Sequence, residues 1–266
     1  LLKKRTKKRL SNDLLGLVIC GLERSGTTLV SELLRQVPGL DAGFEIGVLL
    51  GQTPREFPAI QPYAENMLWN WGLTQQDLLS CCDTDDFAMF YRRLLEHSTV
   101  MRPGTTTIFD KTPRYLATLD DCMARTDAPF VITFKDPRST VFSDFKASGE
   151  ADFDRWFEAY APDKIGYMRL HYAQFERARA GADPRVLLVR LEDFCLQPRV
   201  MATRIVAHAG FEFDLSYLAF KPGRYQFAPV GSISVGFPFA YIEGLGRARS
   251  ARVGEMFAEF SEWFFS

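Results

Sequence analysis

Residues 14–37 constrain the fold more than any other stretch of the chain. Leu14-Leu15-Gly16-Leu17-Val18-Ile19-Cys20 is a continuous apolar run of strand length, the pattern of a strand buried on both faces. Gly21 to Gly26 turns the chain. Thr28 to Val37 then places Leu29, Val30, Leu33, Leu34 and Val37 on one helical stripe, stopped by Pro38-Gly39. Strand, glycine turn and helix in that order open a parallel α/β sheet. Further strands are expected at 105–109, 130–134 and 185–190. Helices are expected at 86–97, 138–147, 163–180 and from Pro198 to Gly210. The fold class is α/β: a single domain over 14–266 with a central parallel sheet flanked by helices.

Two stretches resist this pattern. Residues 41–72 are aromatic, proline-bearing and weakly periodic, and 41–104 reads as an insertion beside the first helix. Residues 221–246 hold Pro222, Gly223, Pro229, Gly231, Gly236, Pro238, Gly244 and Gly246, which predicts a long ordered loop or lid. A closing helix is expected beyond it, with Val253, Phe257, Phe260 and Phe264 on one stripe.

A chain of 266 residues buries enough surface to need no staple. Its five cysteines are scattered, without CxxC spacing, and its three histidines lie far apart, so no metal site is expected. That pattern predicts a reduced, cytoplasmic protein. No run of 18 apolar residues occurs, so no transmembrane segment is expected. Residues 1–10 carry six bases and no acid, leaving 26 bases against 33 acids elsewhere. An acidic body argues against a nucleic-acid partner. The basic end (1–13) reads as a flexible tail, with weak contact to an anionic membrane surface as its alternative.

Gly21-Leu22-Glu23-Arg24-Ser25-Gly26-Thr27-Thr28 has the glycine spacing of a Walker A loop. Such a loop turns backbone N–H groups inward on an anion, and the helix behind it adds its positive end. Position 27 is where a nucleoside triphosphatase carries lysine, and here it is threonine. A triphosphate is poorly served without that lysine. Arg24 can still pair with a singly charged phosphate, so the loop reads as a cradle for a 5′-phosphate or phosphosulfate.

From this point the sequence resembles the sulfotransferases that use 3′-phosphoadenylyl sulfate, in their bacterial and Golgi-type branch. Arg24-Ser25-Gly26-Thr27-Thr28 is similar to their 5′-phosphosulfate loop. Lys111-Thr112-Pro113-Arg114-Tyr115-Leu116 resembles their Lys-[Ser/Thr]-Pro-x-Tyr segment. Lys135-Asp136-Pro137-Arg138 with Ser143 resembles their 3′-phosphate site, and Leu188 to Phe194 resembles a strand end that precedes a helix like Pro198–Gly210. The ordered set spans roughly 14–215. It implies a P-loop NTPase-like fold, with that donor converted to adenosine 3′,5′-bisphosphate without a metal.

The resemblance also implies roles. Arg24, Ser25, Gly26, Thr27 and Thr28 would hold the 5′ side, and Lys135 and Ser143 the 3′-phosphate. Lys135 replaces the family's usual Arg, a point charge for a fork, and Arg138 lies on the same junction to compensate. Ser232 and Arg247 would be looser cofactor contacts from the C-terminal region. Glu45, placed as in the tyrosylprotein branch, is the expected base; Phe44 and Ile46 beside it are apolar neighbours that strengthen a carboxylate in that role. Asp110 and Glu192 are the reserves, and Glu192-Asp193 also reads as a helix cap or arginine partner. Lys111 would reach the bridging oxygen or the acceptor. No histidine sits convincingly for the role; His97 reads as a packed side chain on an apolar face. The acceptor would be a carbohydrate, glycolipid or other small alcohol, entering past Phe44, Phe57, Tyr63, Trp69, Trp71 and Tyr225. A divergent magnesium-dependent kinase, with Lys111 or Lys135 replacing the missing lysine, and a non-catalytic nucleotide-binding relative are the alternatives.

Overall fold

The computed structural model describes residues 14–220 and 233–260. β1 (Leu15–Gly21) is buried at every position, because it is paired on both edges and covered by helices. α1 (Thr27–Leu34) follows the glycine loop and buries Leu29, Val30, Leu33 and Leu34. It ends earlier than expected. Gln36 and Val37 donate to the Leu33 and Leu34 carbonyls, tighter turns that close the helix before Pro38. β2 (Leu40–Asp41) is too short to show any period. Its buried Asp41 is held by Arg35 (3.4 Å) and Arg102 (3.2 Å), which anchors the segment that follows.

The stretch at 41–104 contains three α-helices: α2 (Tyr63–Asn70), α3 (Gln75–Cys82) and α4 (Phe87–His97). Thr74 and Asp77 form a reciprocal capping box at α3, and Asp86 caps α4. His97, expected as a packed side chain, is half-buried and pairs with Asp77 at 2.9 Å.

β3 (Thr107–Lys111) begins two residues later than expected, since Thr105 donates to the Arg102 carbonyl in a turn. That shift places Asp110 and Lys111 at the strand's end. α5 (Leu119–Ala124) leads to β4 (Phe130–Phe134) and α6 (Pro137–Ser148). α7 (Phe153–Gly181) starts well before the expected Asp163 and contains Pro162. Pro162 is exposed, so water can satisfy the carbonyl it leaves unpaired. β5 (Val186–Arg190), α8 (Leu191–Leu196) and α9 (Pro198–His208) complete the α/β part.

The five strands are parallel in the order β2-β3-β1-β4-β5. β1 lies between β3 and β4, so the loops leaving these three strands meet at one sheet edge, where ligands bind in open α/β sheets. Gly21 is level with Thr133 there, and Ile19 with Lys111.

The C-terminal region corrects the sequence reading. α10 (Gly236–Phe239) and the start of α11 (Tyr241–Met256), up to Gly246, are helical where a loop was expected, and the rest of α11 falls where the closing helix was expected. Gly244 meets the Phe142 ring of α6: a Cβ there would lie 2.1 Å from Phe142 Cζ. Its glycine therefore serves close packing of α11 on α6, and Gly246 (φ 68°) a kink. Residues 221–232, with Tyr225 and Ser232, lie outside the described residues, as do 1–13 and Phe264. Val253, Phe257 and Phe260 are buried as expected. Among the described residues no helix is long and apolar enough to cross a membrane.

Candidate active site

A cleft of about 620 Å³ opens at the sheet edge where β1, β3 and β4 end, within the usual range for small-molecule sites. Its floor is the glycine loop, from Glu23 and Arg24 to Gly26, Thr27 and Thr28. One wall carries Phe44, Glu45, Tyr63 and Pro113, and the other Lys135, Ser143, Leu191 and Phe237.

The floor is shaped by close packing. Gly26 has φ +96°, and a Cβ there would lie 2.6 Å from Leu191 Cδ1, so only glycine lets α8 close against the loop. Ser25 is fully buried; its hydroxyl donates to the Leu22 carbonyl and shares a 2.6 Å hydrogen bond with Thr133. Ser25 therefore holds the loop's shape and does not face the cleft. Gly26 precedes α1 with no side-chain cap, so the first-turn N–H groups are free for an anion. Arg24 takes a left-handed conformation (φ 66°) and projects over the cleft, half-exposed, 3.9 Å from Asp144. Asp144 is occupied more closely by Lys164 at 2.8 Å.

Lys135 follows β4 and lines the opposite wall. It is only 4% exposed, yet has no hydrogen bond or ion pair among the described residues. Burial pulls its pKa down to about 8, against the nearby Asp144 and Glu192 charges that hold it up. A buried ammonium without a partner is costly unless an anion completes it. Ser143 joins it from α6. Arg138, expected to assist, is turned elsewhere: its guanidinium forks onto Asp136 and lies 5.1 Å from the Tyr241 ring centre. Arg247 is exposed on α11 and does not line the cleft.

Glu45 and Lys111 meet behind the wall that carries Phe44 and Tyr63. Lys111 Nζ donates to Glu45 Oε1 at 2.9 Å and sits 3.6 Å from the Phe44 ring centre. Lys111 is 2% exposed and does not itself line the cleft; burial lowers its pKa while Glu45 holds it up. The apolar surroundings expected for Glu45 are thus replaced on one side by an ammonium. Of the aromatics expected near an acceptor, Phe44 and Tyr63 line the cleft, Phe57 and Trp71 are fully buried core, and Trp69 is exposed. Burial pushes the Tyr63 hydroxyl up to about 12, leaving it a donor at neutral pH.

The two reserve carboxylates are placed as scaffolding. Asp110 is fully buried and accepts from Tyr91 (2.8 Å), Thr112 (2.8 Å) and Tyr115 (2.7 Å). Burial pushes it up to about 6 against those hydrogen bonds. Glu192 accepts from the Asp136 N–H at 3.0 Å, and burial raises it. Asp193 pairs with Arg190. His208 Nε2 lies 3.1 and 2.9 Å from the Phe130 and Arg185 carbonyls, and His171 Nδ1 2.8 Å from that of Tyr167; neither lines the cleft. Leu191 and Phe237 were not foreseen as lining, because they arrive from two separate elements, α8 and α10. Among the described residues no group of three or more candidate metal ligands occurs.

The cleft thus brings a buried lysine and the uncapped start of α1 to the end of a parallel α/β sheet. The chain belongs to the sulfotransferase family, whose family model matches residues 16–215. Sulfuryl transfer from 3′-phosphoadenylyl sulfate is the chemistry supported at that family level. Three solved structures share the fold. The sulfotransferase domain of the Synechococcus PCC 7002 olefin synthase is 19% identical, with 91% of this chain and 94% of that one covered and a TM-score of 0.64. The sulfotransferase domain of the curacin biosynthetic pathway is 14% identical, covering 91% and 96%, TM-score 0.58. A sulfotransferase from Alicyclobacillus acidocaldarius is 17% identical, covering 94% and 96%, TM-score 0.52. No curated protein matches.

Proposed function

We propose that the chain transfers the sulfuryl group of 3′-phosphoadenylyl sulfate to the hydroxyl, or amine, of a carbohydrate, glycolipid or other small alcohol, on a P-loop-kinase-like fold and without a metal. The observation that carries the reading is Lys135: a buried ammonium with no hydrogen bond or ion pair among the described residues, in the same cleft as the uncapped end of α1. Two anion sites in one cleft suit a nucleotide phosphorylated at both ends, and the absence of lysine at position 27 argues against a triphosphate.

In this reading Thr27, Thr28 and the α1 amides hold the 5′ side, with Arg24 over it. Lys135 and Ser143 hold the 3′-phosphate. Glu45 takes the acceptor proton as the new S–O bond forms, while the S–O bond to the bisphosphate breaks and its charge is met by Arg24 and the helix N-terminus. Lys111 holds the Glu45 carboxylate in place through their 2.9 Å hydrogen bond. Phe44, Tyr63, Pro113 and Phe237 give the acceptor an apolar rim with one hydroxyl donor, which supports a ring-bearing or alkyl alcohol. The five cysteines are free and buried, which supports a reducing, cytoplasmic setting.

Calorimetric titration tests the donor assignment. Micromolar binding of adenosine 3′,5′-bisphosphate with negligible binding of ATP and magnesium is expected; the reverse preference would overturn it in favour of a kinase. Turnover of an acceptor by the parent but not by Glu45→Gln would then separate an enzyme from a non-catalytic relative.

A further inference from the structure

Glu45 sits on a segment with little regular structure, and something must hold that segment still. The contacts that do so come from beneath it. Thr112 Oγ1 accepts from the Ile46 N–H (3.2 Å) and the Gly47 N–H (3.0 Å), and the Tyr115 hydroxyl accepts from the Leu49 N–H (3.2 Å). Both hydroxyls donate their single proton to Asp110. Tyr91 donates to the same carboxylate from α4.

The polarity of this network follows from proton counting. Three hydroxyls converge on an ionised Asp110, which has no proton to give, so each must donate. With their protons committed, Thr112 and Tyr115 present only lone pairs to the backbone at 46–49. An amide at position 110 would bring N–H donors of its own, leaving too few acceptors for a fully buried cluster.

We infer that Asp110 is a positioning residue: through Thr112 and Tyr115 it orders the 46–49 backbone and so sets Glu45 against Lys111. Lys111 is the next residue on β3, so one strand end supplies both the partner of Glu45 and the anchor of its segment. The consequence for turnover rests on the reading of Glu45 as the base.

The test is amide hydrogen exchange of the full chain at residues 46, 47 and 49. It is read beside the side-chain nitrogen resonance of Lys111 and calorimetric binding of adenosine 3′,5′-bisphosphate. Thr112→Val keeps the side chain's shape and removes the hydroxyl; exchange at 46 and 47 is expected to rise about tenfold or more, with the Lys111 resonance shifted. Thr112→Ser should restore both. Tyr115→Phe should act at residue 49, and Asp110→Asn at all three. Exchange in β1 and bisphosphate affinity should stay at parental values. Unchanged exchange at 46–49 in Thr112→Val and Tyr115→Phe would overturn the inference, as would failure of Thr112→Ser to rescue or an equal rise throughout β1. Glu45→Gln should leave this exchange unaltered. If that variant retained full turnover while the other results held, the base assignment would fall and the positioning of the segment would stand.

Discussion

The Lys111 ammonium lies 2.9 Å from the Glu45 carboxylate and 3.6 Å from the centre of the Phe44 ring. Lys111 is buried and Glu45 reaches the cleft, so the pair places a carboxyl group at the cleft wall with its cationic partner hidden from the cleft. Glu45→Gln is expected to lower kcat by about 10²–10⁴ with bisphosphate affinity unchanged in calorimetry. Lys111→Met should also lower kcat yet change the melting temperature little, because an apolar isostere avoids the cost of burying an ammonium. A wild-type rate in both variants would remove the pair from the chemistry.

Lys135→Met tests the unpaired ammonium. Loss of a charge-assisted hydrogen bond of about 1.5–3 kcal/mol predicts bisphosphate binding weakened by roughly 10- to 100-fold. The apoprotein should melt no lower than the parent, since the variant removes a buried charge that has no ion pair among the described residues. Calorimetry and thermal melts check both arms.

The same lysine makes a signed pH prediction. Its pKa is lowered to about 8 from 10.5, so between those values the unfolded chain binds more protons than the folded one. Apoprotein stability from this group is therefore least below about 8 and rises as pH increases toward the unfolded value. Bisphosphate affinity should move the other way, falling above pH 8 as the ammonium is lost. Both trends should vanish in Lys135→Met, which melting and titration across pH 7–10 would show.

Ser143 and Arg138 should separate. Ser143→Ala is expected to weaken bisphosphate binding several-fold, and Arg138→Ala to leave it within about threefold, because Asp136 holds that guanidinium away from the cleft. Equal losses in both would return Arg138 to the 3′-phosphate site.

Gly26→Ala places a Cβ against Leu191 in a left-handed conformation. A loss of about 1–3 kcal/mol in denaturant unfolding is expected, with bisphosphate binding weakened because α8 can no longer close on the loop. A variant as stable and as tight-binding as the parent would contradict the packing.

Much of this arrangement was legible along the chain because it is local. An apolar run of strand length, two glycines with a fixed spacing and a helical stripe are periodic signals within about 25 residues, and they specified β1, the loop, α1 and the order of elements around them. The runs at 130–134 and 186–190 were legible for the same reason. Side-chain direction was not. Ser25 and Arg138 belong to the expected motifs, yet one turns into the core toward Thr133 and the other onto Asp136, choices made by neighbours more than 100 residues away or by a competing carboxylate. The helical structure at 236–246 was hidden because Gly244 and Gly246 read locally as loop, while the Phe142 ring that requires a glycine is distant in sequence. Glu45 and Lys111 could each be nominated from sequence; their contact, and the hydroxyls of Thr112 and Tyr115 that steady it, exist only because β3 and the segment after β2 are brought side by side by the sheet.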